Sequence, residues 1–192
     1  MNIEKFSVAQ TLTFTGMLDR AGFGTDGRQT LIDIGYFKAP ASKGHHLAEI
    51  GGLQVHSFNV TRRLVQLTET LGVEWPRPES PYLVGILHDL VKCRCYRMKP
   101  RMDESAAPEW EYVQPDYPGH GAASAMIAAE LGIQLLRPEI VAITYHMGTF
   151  RVGKDYSWEE YNAAIERHGA QIIATHIADW YAARVDEEGK TK

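Results

Sequence analysis

The stretch GILHDLVKCRCYRMKPR, residues 85–101, decides the fold. Its first half is apolar enough for a buried helix, yet His88 and Asp89 stand side by side within it. Its second half carries Lys92, Arg94, Arg97, Lys99 and Arg101, five cations in ten residues. A core helix that buries an imidazole next to a carboxylate needs something to offset their desolvation.

Working outward, apolar residues recur at helical spacing on both sides of this segment. Upstream, KFSVAQTLTFTGMLDRAG reads as a helix stopped by Gly22 and Gly24, and GRQTLIDIGYFKAPAS as a short helix broken by Pro40. LQVHSFNVTRRLVQLTETLG places Leu53, Val60, Leu64 and Leu71 on an amphipathic pattern ending at Gly72, and Ser80-Pro81 read as an N-cap with a first-turn proline. Downstream, YRMKPRMDESAAPEWEYVQPDYPG has aromatics flanking a polar, proline-containing tip, which predicts a two-stranded ribbon over about residues 95–115. Four more helices follow, in HGAASAMIAAELG, RPEIVAITYHMG, SWEEYNAAIERHG and AQIIATHIADWYAARVDEE. The expectation is one all-α domain over residues 1–192, a helical bundle with a small β-ribbon insertion.

Bulk properties exclude several classes. A net charge of -4 argues against generic nucleic-acid binding, so any phosphate attraction is local. No stretch reaches membrane-spanning length, and MNIEKFSVAQ lacks an apolar signal core. Cys93 and Cys95, one residue apart, are poorly placed to bridge each other, so a reduced, cytoplasmic protein is expected.

Of eight histidines, four stand out by their place in or at the ends of apolar helices. His56 shares a stripe with Leu53 and Val60, His88 lies in the most apolar helix, His120 follows Gly119 at a helix start, and His146 ends a helix of Ile140, Val141 and Ile143. Asp89 shares that helix with His88, and Asp179 lies on another apolar helix between Ala178 and Trp180. Any one of these could be a hydrogen-bonded core residue, but burying four imidazoles and two carboxylates together calls for a common purpose. A metal supplies it. Neutral imidazole and carboxylate suit first-row divalent ions, whereas a structural zinc site would show spaced cysteines. Six ligands are too many for one tetrahedral ion with an open position and suit two ions bridged by one carboxylate. On an ideal helix His88 and Asp89 point about 100° apart, so they would straddle a pair of ions rather than aim at one point.

The order His56, His88-Asp89, Asp179 resembles the H…HD…D pattern of the HD-domain superfamily of metal-dependent phosphohydrolases, and His120 and His146 fall where its two-metal members carry extra ligands. GGLQVHSFNV, GILHDLVK, YPGHGAAS, ITYHMG and HIADWYAARVDE are similar, in order, to segments of small bacterial and phage HD hydrolases. The likeness spans about residues 36–187, leaving 1–35 as an N-terminal helical extension. It departs from the family at Val91, where glycine is frequent, and lacks the His-His pair and Gly-Tyr-Pro signature of cyclic-dinucleotide phosphodiesterases.

The resemblance implies that His56, His88, Asp89 and Asp179 hold one metal, and that Asp89 bridges to a second completed by His120 and His146. Two divalent ions are expected, with Mn, Fe, Co, Ni, Mg and Zn not distinguished by the ligands. The implied activity is hydroxide attack on a phosphoester of a small phosphorylated compound, such as a nucleotide. Asp89 and Lys92 would act at the reacting centre. Lys92 would also bind phosphate, with Arg94 or Arg97 as further clamps, because guanidinium meets phosphate bidentately. Lys99 and Arg101 read as a solvated ribbon edge. Among other residues, His45-His46 could contact substrate, His176 would orient Asp179 or a ligand histidine, and His168 would cap a helix. The tryptophans read as packing residues, except that Trp110 with Tyr112 could form a nucleobase shelf. Two alternatives stand beside this reading. The same six ligands serve HD-fold di-iron oxygenases that oxidise small organic substrates with O2, and a non-catalytic nucleotide-binding module would be expected to have lost ligands.

Overall fold

The computed structural model describes residues 8–45, 47–100 and 107–187. The described residues are mostly helical, in agreement with the all-α expectation. In chain order they form α1 (Val8–Arg20), α2 (Thr25–Asp33), α3 (Gly52–Leu71), α4 (Ser80–Leu87), a short α5 (Lys92–Cys95), α6 (His120–Glu130), α7 (Arg137–Tyr145) and α8 (Trp158–Tyr181). A 3-10 turn, Gly148–Arg151, precedes α8, and a π-helical turn, Ala182–Glu187, follows it.

α3 is the central helix because its apolar stripe is fully covered: Leu53, Val60 and Leu64 have no exposed surface. It packs against α4 on one side and α8 on the other, while α7 lies between α8 and α6. α1 and α2 join the same core through Phe14, Leu18 and Leu31, and Phe14 meets Phe58 of α3 edge-on at 6.1 Å. Two close crossings set the spacing of the bundle. A Cβ on Gly85 of α4 would stand 2.7 Å from the Thr61 Cα of α3, and one on Gly121 of α6 would stand 2.3 Å from the Thr144 carbonyl oxygen of α7. Only hydrogen fits at either position, so glycine lets α4 and α6 press against their neighbours.

The ribbon forms where the aromatic pattern predicts it. β1 (Tyr96–Met98) pairs antiparallel with β2 (Trp110–Tyr112), in the register Tyr96 with Tyr112 and Met98 with Trp110. Its tip, including Arg101, lies outside the described residues.

Three local expectations change. The buried helix expected to carry His88 and Asp89 within it stops at Leu87. From there Leu90, Lys92, Cys93 and Arg94 donate their amides to carbonyls three residues back, and the Val91 amide goes to the Ser124 hydroxyl at 3.1 Å. The backbone therefore tightens at His88-Asp89. The two helices expected on either side of His168 are one long α8, kinked at that residue (φ -137, ψ 24), so His168 does not cap a helix end. α2 ends at Asp33, well before Pro40. At the start of α8, Ser157 and Glu160 form a reciprocal capping box, the hydroxyl accepting from the Glu160 amide at 3.1 Å.

Candidate metal centre

Five elements converge on one point. α3 contributes His56, the turn after α4 contributes His88 and Asp89, α6 opens with His120, His146 follows the end of α7, and α8 contributes Asp179. All six predicted ligands are brought together. His56, His88, Asp89 and Asp179 each offer a ligand atom, and these atoms lie within 4.8 Å of one another; Asp89, His120 and His146 make a second such group. His56 Nε2 lies 3.1 Å from Asp179 Oδ1 and 3.4 Å from Asp89 Oδ2. His88 Nε2 lies 3.3 Å from Asp89 Oδ2 and 3.3 Å from His56 Nε2. On the other side, Asp89 Oδ1 is 2.6 Å from His120 Nε2 and 3.6 Å from His146 Nε2. Each oxygen of Asp89 thus faces a different group. His88 and Asp89 share the first group in spite of the helical offset expected to keep them apart, and Asp89 alone of the two also belongs to the second.

Backbone contacts fix the rings. His88 Nδ1 donates to the Gly85 carbonyl at 2.9 Å and His146 Nδ1 to the Ile143 carbonyl at 2.7 Å. A carbonyl only accepts, so each ring carries a proton on Nδ1 and turns Nε2 inward, the atom that offers a lone pair when the ring is neutral. The amide of His120 donates to Asp155 Oδ2 at 2.8 Å, and Arg151 holds the same carboxylate through two hydrogen bonds of 2.7 and 2.8 Å. Burial alone would raise the Asp155 pKa, but Arg151 and the His120 amide outweigh it and keep the carboxyl below its usual range.

The residues fit a cation. His146 Nε2 is buried and has no hydrogen-bond partner. Burial pulls the pKa of His56 down, but Glu187, Asp179 and Asp89 around it hold it well above the ordinary imidazole value. A proton on His56 Nε2 would nonetheless face three acceptors, Asp179, His88 and Asp89, and can serve only one of them well. A divalent ion at that point satisfies all of them at once. Burial likewise penalises ionised Asp89, yet Lys92 and His88, with a hydrogen bond from His120, keep its carboxyl well below the usual range. Neither Cys93 nor Cys95 contributes a sulfur to either group, and burial pushes the Cys95 thiol up to about 12. The buried His56, His88, Asp89 and Asp179 cluster could therefore hold a metal ion.

A cavity of about 500 Å³ opens onto this cluster. Lys92 lines it with an almost buried ammonium whose Nζ lies 2.5 Å from Asp89 Oδ2. Ser42, His45, Tyr96, Phe150, Trp180 and Arg184 complete much of its wall. Arg94 and Arg97 do not reach it. Arg94 is drawn outward to Glu130 at 2.9 Å and to the Tyr117 hydroxyl, and Arg97, 71% exposed, faces Glu111 at 3.6 Å across the ribbon. Lys99 pairs with Glu109 on the ribbon edge, as expected. His46, like Arg101, lies outside the described residues.

Other expectations need correcting. His176 donates from Nδ1 to the His146 carbonyl at 2.7 Å, so it supports the main chain after α7 rather than a ligand side chain. Trp110 is buried and its indole donates to the Ala48 carbonyl at 3.2 Å, which leaves no nucleobase shelf; Tyr112 lines a different cavity. Trp180, read as packing, is instead half-exposed on the cavity wall. Asp155 and Glu187 were not anticipated. The carboxylate of Glu187 reaches His56 Nδ1 at 3.1 Å, and the only hint of it in the sequence is its place in the terminal run VDEE. Among the described residues, no helix is long and apolar enough to cross a membrane. In comparisons with known proteins, no family model, no curated protein and no solved structure gave a match.

Proposed function

We propose that this chain is an HD-type metal-dependent phosphohydrolase acting on a small phosphorylated compound, with two divalent ions bridged by Asp89. The observation that carries the reading is Asp89 itself, which turns one oxygen toward His56 and His88 and the other toward His120 and His146, while Lys92 holds it from the cavity side. His56, His88, Asp89 and Asp179 would hold one ion, and Asp89, His120 and His146 the other. Such ions would bring the pKa of a water molecule down to about 7 and offset charge on the phosphoryl oxygens.

The chain's own residues supply the rest. Lys92 offers an ammonium beside the cluster, kept protonated because Asp89 outweighs the effect of burial and raises its pKa. An anionic phosphate entering the cavity meets that charge in a partly desolvated setting, where it is stronger than at the surface. The carbonyl contacts of His88 and His146 hold both rings before substrate arrives, so little reorganisation is needed at the reacting centre. A buried ammonium on the cavity side favours an anionic, phosphate-bearing substrate, which supports this reading over a di-iron oxygenase acting on an uncharged organic substrate.

The test is a chelator-stripped protein reloaded separately with Mn²⁺, Co²⁺, Fe²⁺, Ni²⁺, Mg²⁺ or Zn²⁺, and assayed without oxygen on a panel of nucleotides, phosphomonoesters and phosphodiesters. Phosphate or nucleoside release is expected with at least one metal, and Asp89→Ala should lose bound metal and at least about 10²-fold in rate. An Asp89→Ala protein that keeps both metal and activity overturns the reading. So does a wild type that turns over only with O2 and releases no phosphate.

A further inference from the structure

The proposed chemistry leaves one buried carboxylate near the site without a task. After α8 ends at Tyr181, the chain continues as the π-helical turn Ala182–Glu187. Asp179 and Glu187 are eight residues apart, which on a continuous α-helix would separate them by about 12 Å along the axis. Both nonetheless meet the same imidazole. Asp179 Oδ1 is 3.1 Å from His56 Nε2, and the two oxygens of Glu187 are 3.1 and 3.2 Å from His56 Nδ1. π-turns are wider than α-turns and recur at functional sites.

α3 grips this turn from two sides. On the inside, Asn59 Nδ2 donates to Glu187 Oε1 at 3.0 Å, and Glu187 is 1% exposed. On the outside, Arg63 holds the neighbouring Asp186 through Nη2 at 2.6 Å and Nε at 2.9 Å. Glu187 therefore has little freedom to leave His56. The contrast with the other rings is informative: His88 and His146 donate Nδ1–H to backbone carbonyls, whereas His56 faces a carboxylate. An ionised carboxylate only accepts, so it keeps the proton on Nδ1, orients the ring and makes Nε2 a better donor to a cation.

We propose that Glu187 is a positioning residue for the metal held by His56, His88, Asp89 and Asp179, and that the π-turn exists to deliver it. This rests on the metal-centre reading but not on the reaction assigned to it. The turn and the metal are then linked, and hydrogen exchange of residues 182–187 slows when metal binds.

The experiment is calorimetric titration of the full chain with Co²⁺, without substrate, in wild type, Glu187→Ala and Glu187→Gln. Glu187→Ala should bind Co²⁺ about 10–100-fold more weakly. Glu187→Gln keeps an oxygen that accepts from both His56 and Asn59, and should recover most of the loss. Glu187→Asp, which draws the carboxylate back by one methylene, gives the same reading should the alanine variant fail to fold, with weakened binding expected. Slower exchange of the turn on Co²⁺ binding in wild type, absent in Glu187→Ala, would add support. Affinity within twofold of wild type in the alanine or aspartate variant overturns the proposal, as does a glutamine variant no better than alanine. A wild type that binds Co²⁺ tightly yet hydrolyses no phosphoester would sink the phosphohydrolase reading alone and leave Glu187 its role.

Discussion

Two buried polar clusters lie in this bundle, and they differ in whether they are complete. Glu139 of α7 has no exposed surface. Its Oε1 accepts from Arg77 Nε at 2.7 Å and Ser80 Oγ at 2.7 Å, and its Oε2 from Arg77 Nη2 at 2.9 Å and the Leu136 amide at 2.6 Å. One cation answers one anion, every carboxylate oxygen is used, and the cluster ties the segment before α4 to the first turn of α7. The cluster around Asp89 does not close in this way. His146 Nε2 has no partner, and the Nε2 atoms of His56 and His88 face each other at 3.3 Å beside two carboxylates. Burial of charge alone therefore does not mark a functional site. Imidazole and carboxylate atoms that converge on a common point do.

Breaking the complete cluster should cost stability and nothing else. Glu139→Ala removes the acceptor for Arg77, Ser80 and the Leu136 amide, and should destabilise the protein by about 3 kcal/mol in denaturant unfolding. Its Co²⁺ affinity should match wild type, because none of the six ligands touches Glu139. A parallel loss of metal binding would show that the two clusters are not independent.

Filling the incomplete cluster should do the converse. Metal at 100 times its dissociation constant should stabilise the wild type by about 2.7 kcal/mol, or roughly 5–10 °C in melting temperature. Glu139→Ala should gain the same increment and Asp89→Ala none. Equal shifts in all three proteins would mean that the ion binds elsewhere.

The incomplete cluster was also the more legible of the two. His56, His88, Asp89 and Asp179 stand out in the sequence because they interrupt apolar helical text, and His120 and His146 because they stand at the ends of such helices, where a polar side chain is costly to bury. Glu139 gives no such signal: a glutamate in a helix's first turn is ordinary, and its partners Arg77 and Ser80 are distant in the chain. Glu187 is hidden for another reason, since helical periodicity does not anticipate a π-turn that returns to His56. The tightened turn at His88-Asp89 depends on the Ser124 hydroxyl taking the Val91 amide, a contact between α6 and a segment 33 residues earlier. Arg94 and Arg97 looked like phosphate ligands because they follow the HD pair, but Glu130 and Glu111 turn them outward. Local pattern reports which residues are costly to bury, and tertiary partners decide where the exposed cations point.

The smallest effect tests whether completeness matters without burial. Asp186 and Arg63 form a closed bidentate pair, as Glu139 and Arg77 do, but at the partly exposed edge of the π-turn, with Arg62 adding a contact at 3.3 Å. The hydrogen bonds from Arg63 keep the Asp186 carboxyl below its usual range despite some desolvation. A carboxyl whose folded pKa is depressed binds its proton more readily when unfolded. Its stabilisation is therefore present above the ordinary value of about 3.9 and is lost as pH falls through the lowered folded value. Solvent screening limits the effect to less than about 1 kcal/mol. Asp186→Asn should thus be slightly less stable than wild type at pH 7, and the gap should close on acidification below pH 4 and shrink in 1 M salt. A gap that persisted in acid would mean that Asp186 holds the turn by shape rather than charge, and that Glu187 owes its place against His56 to packing.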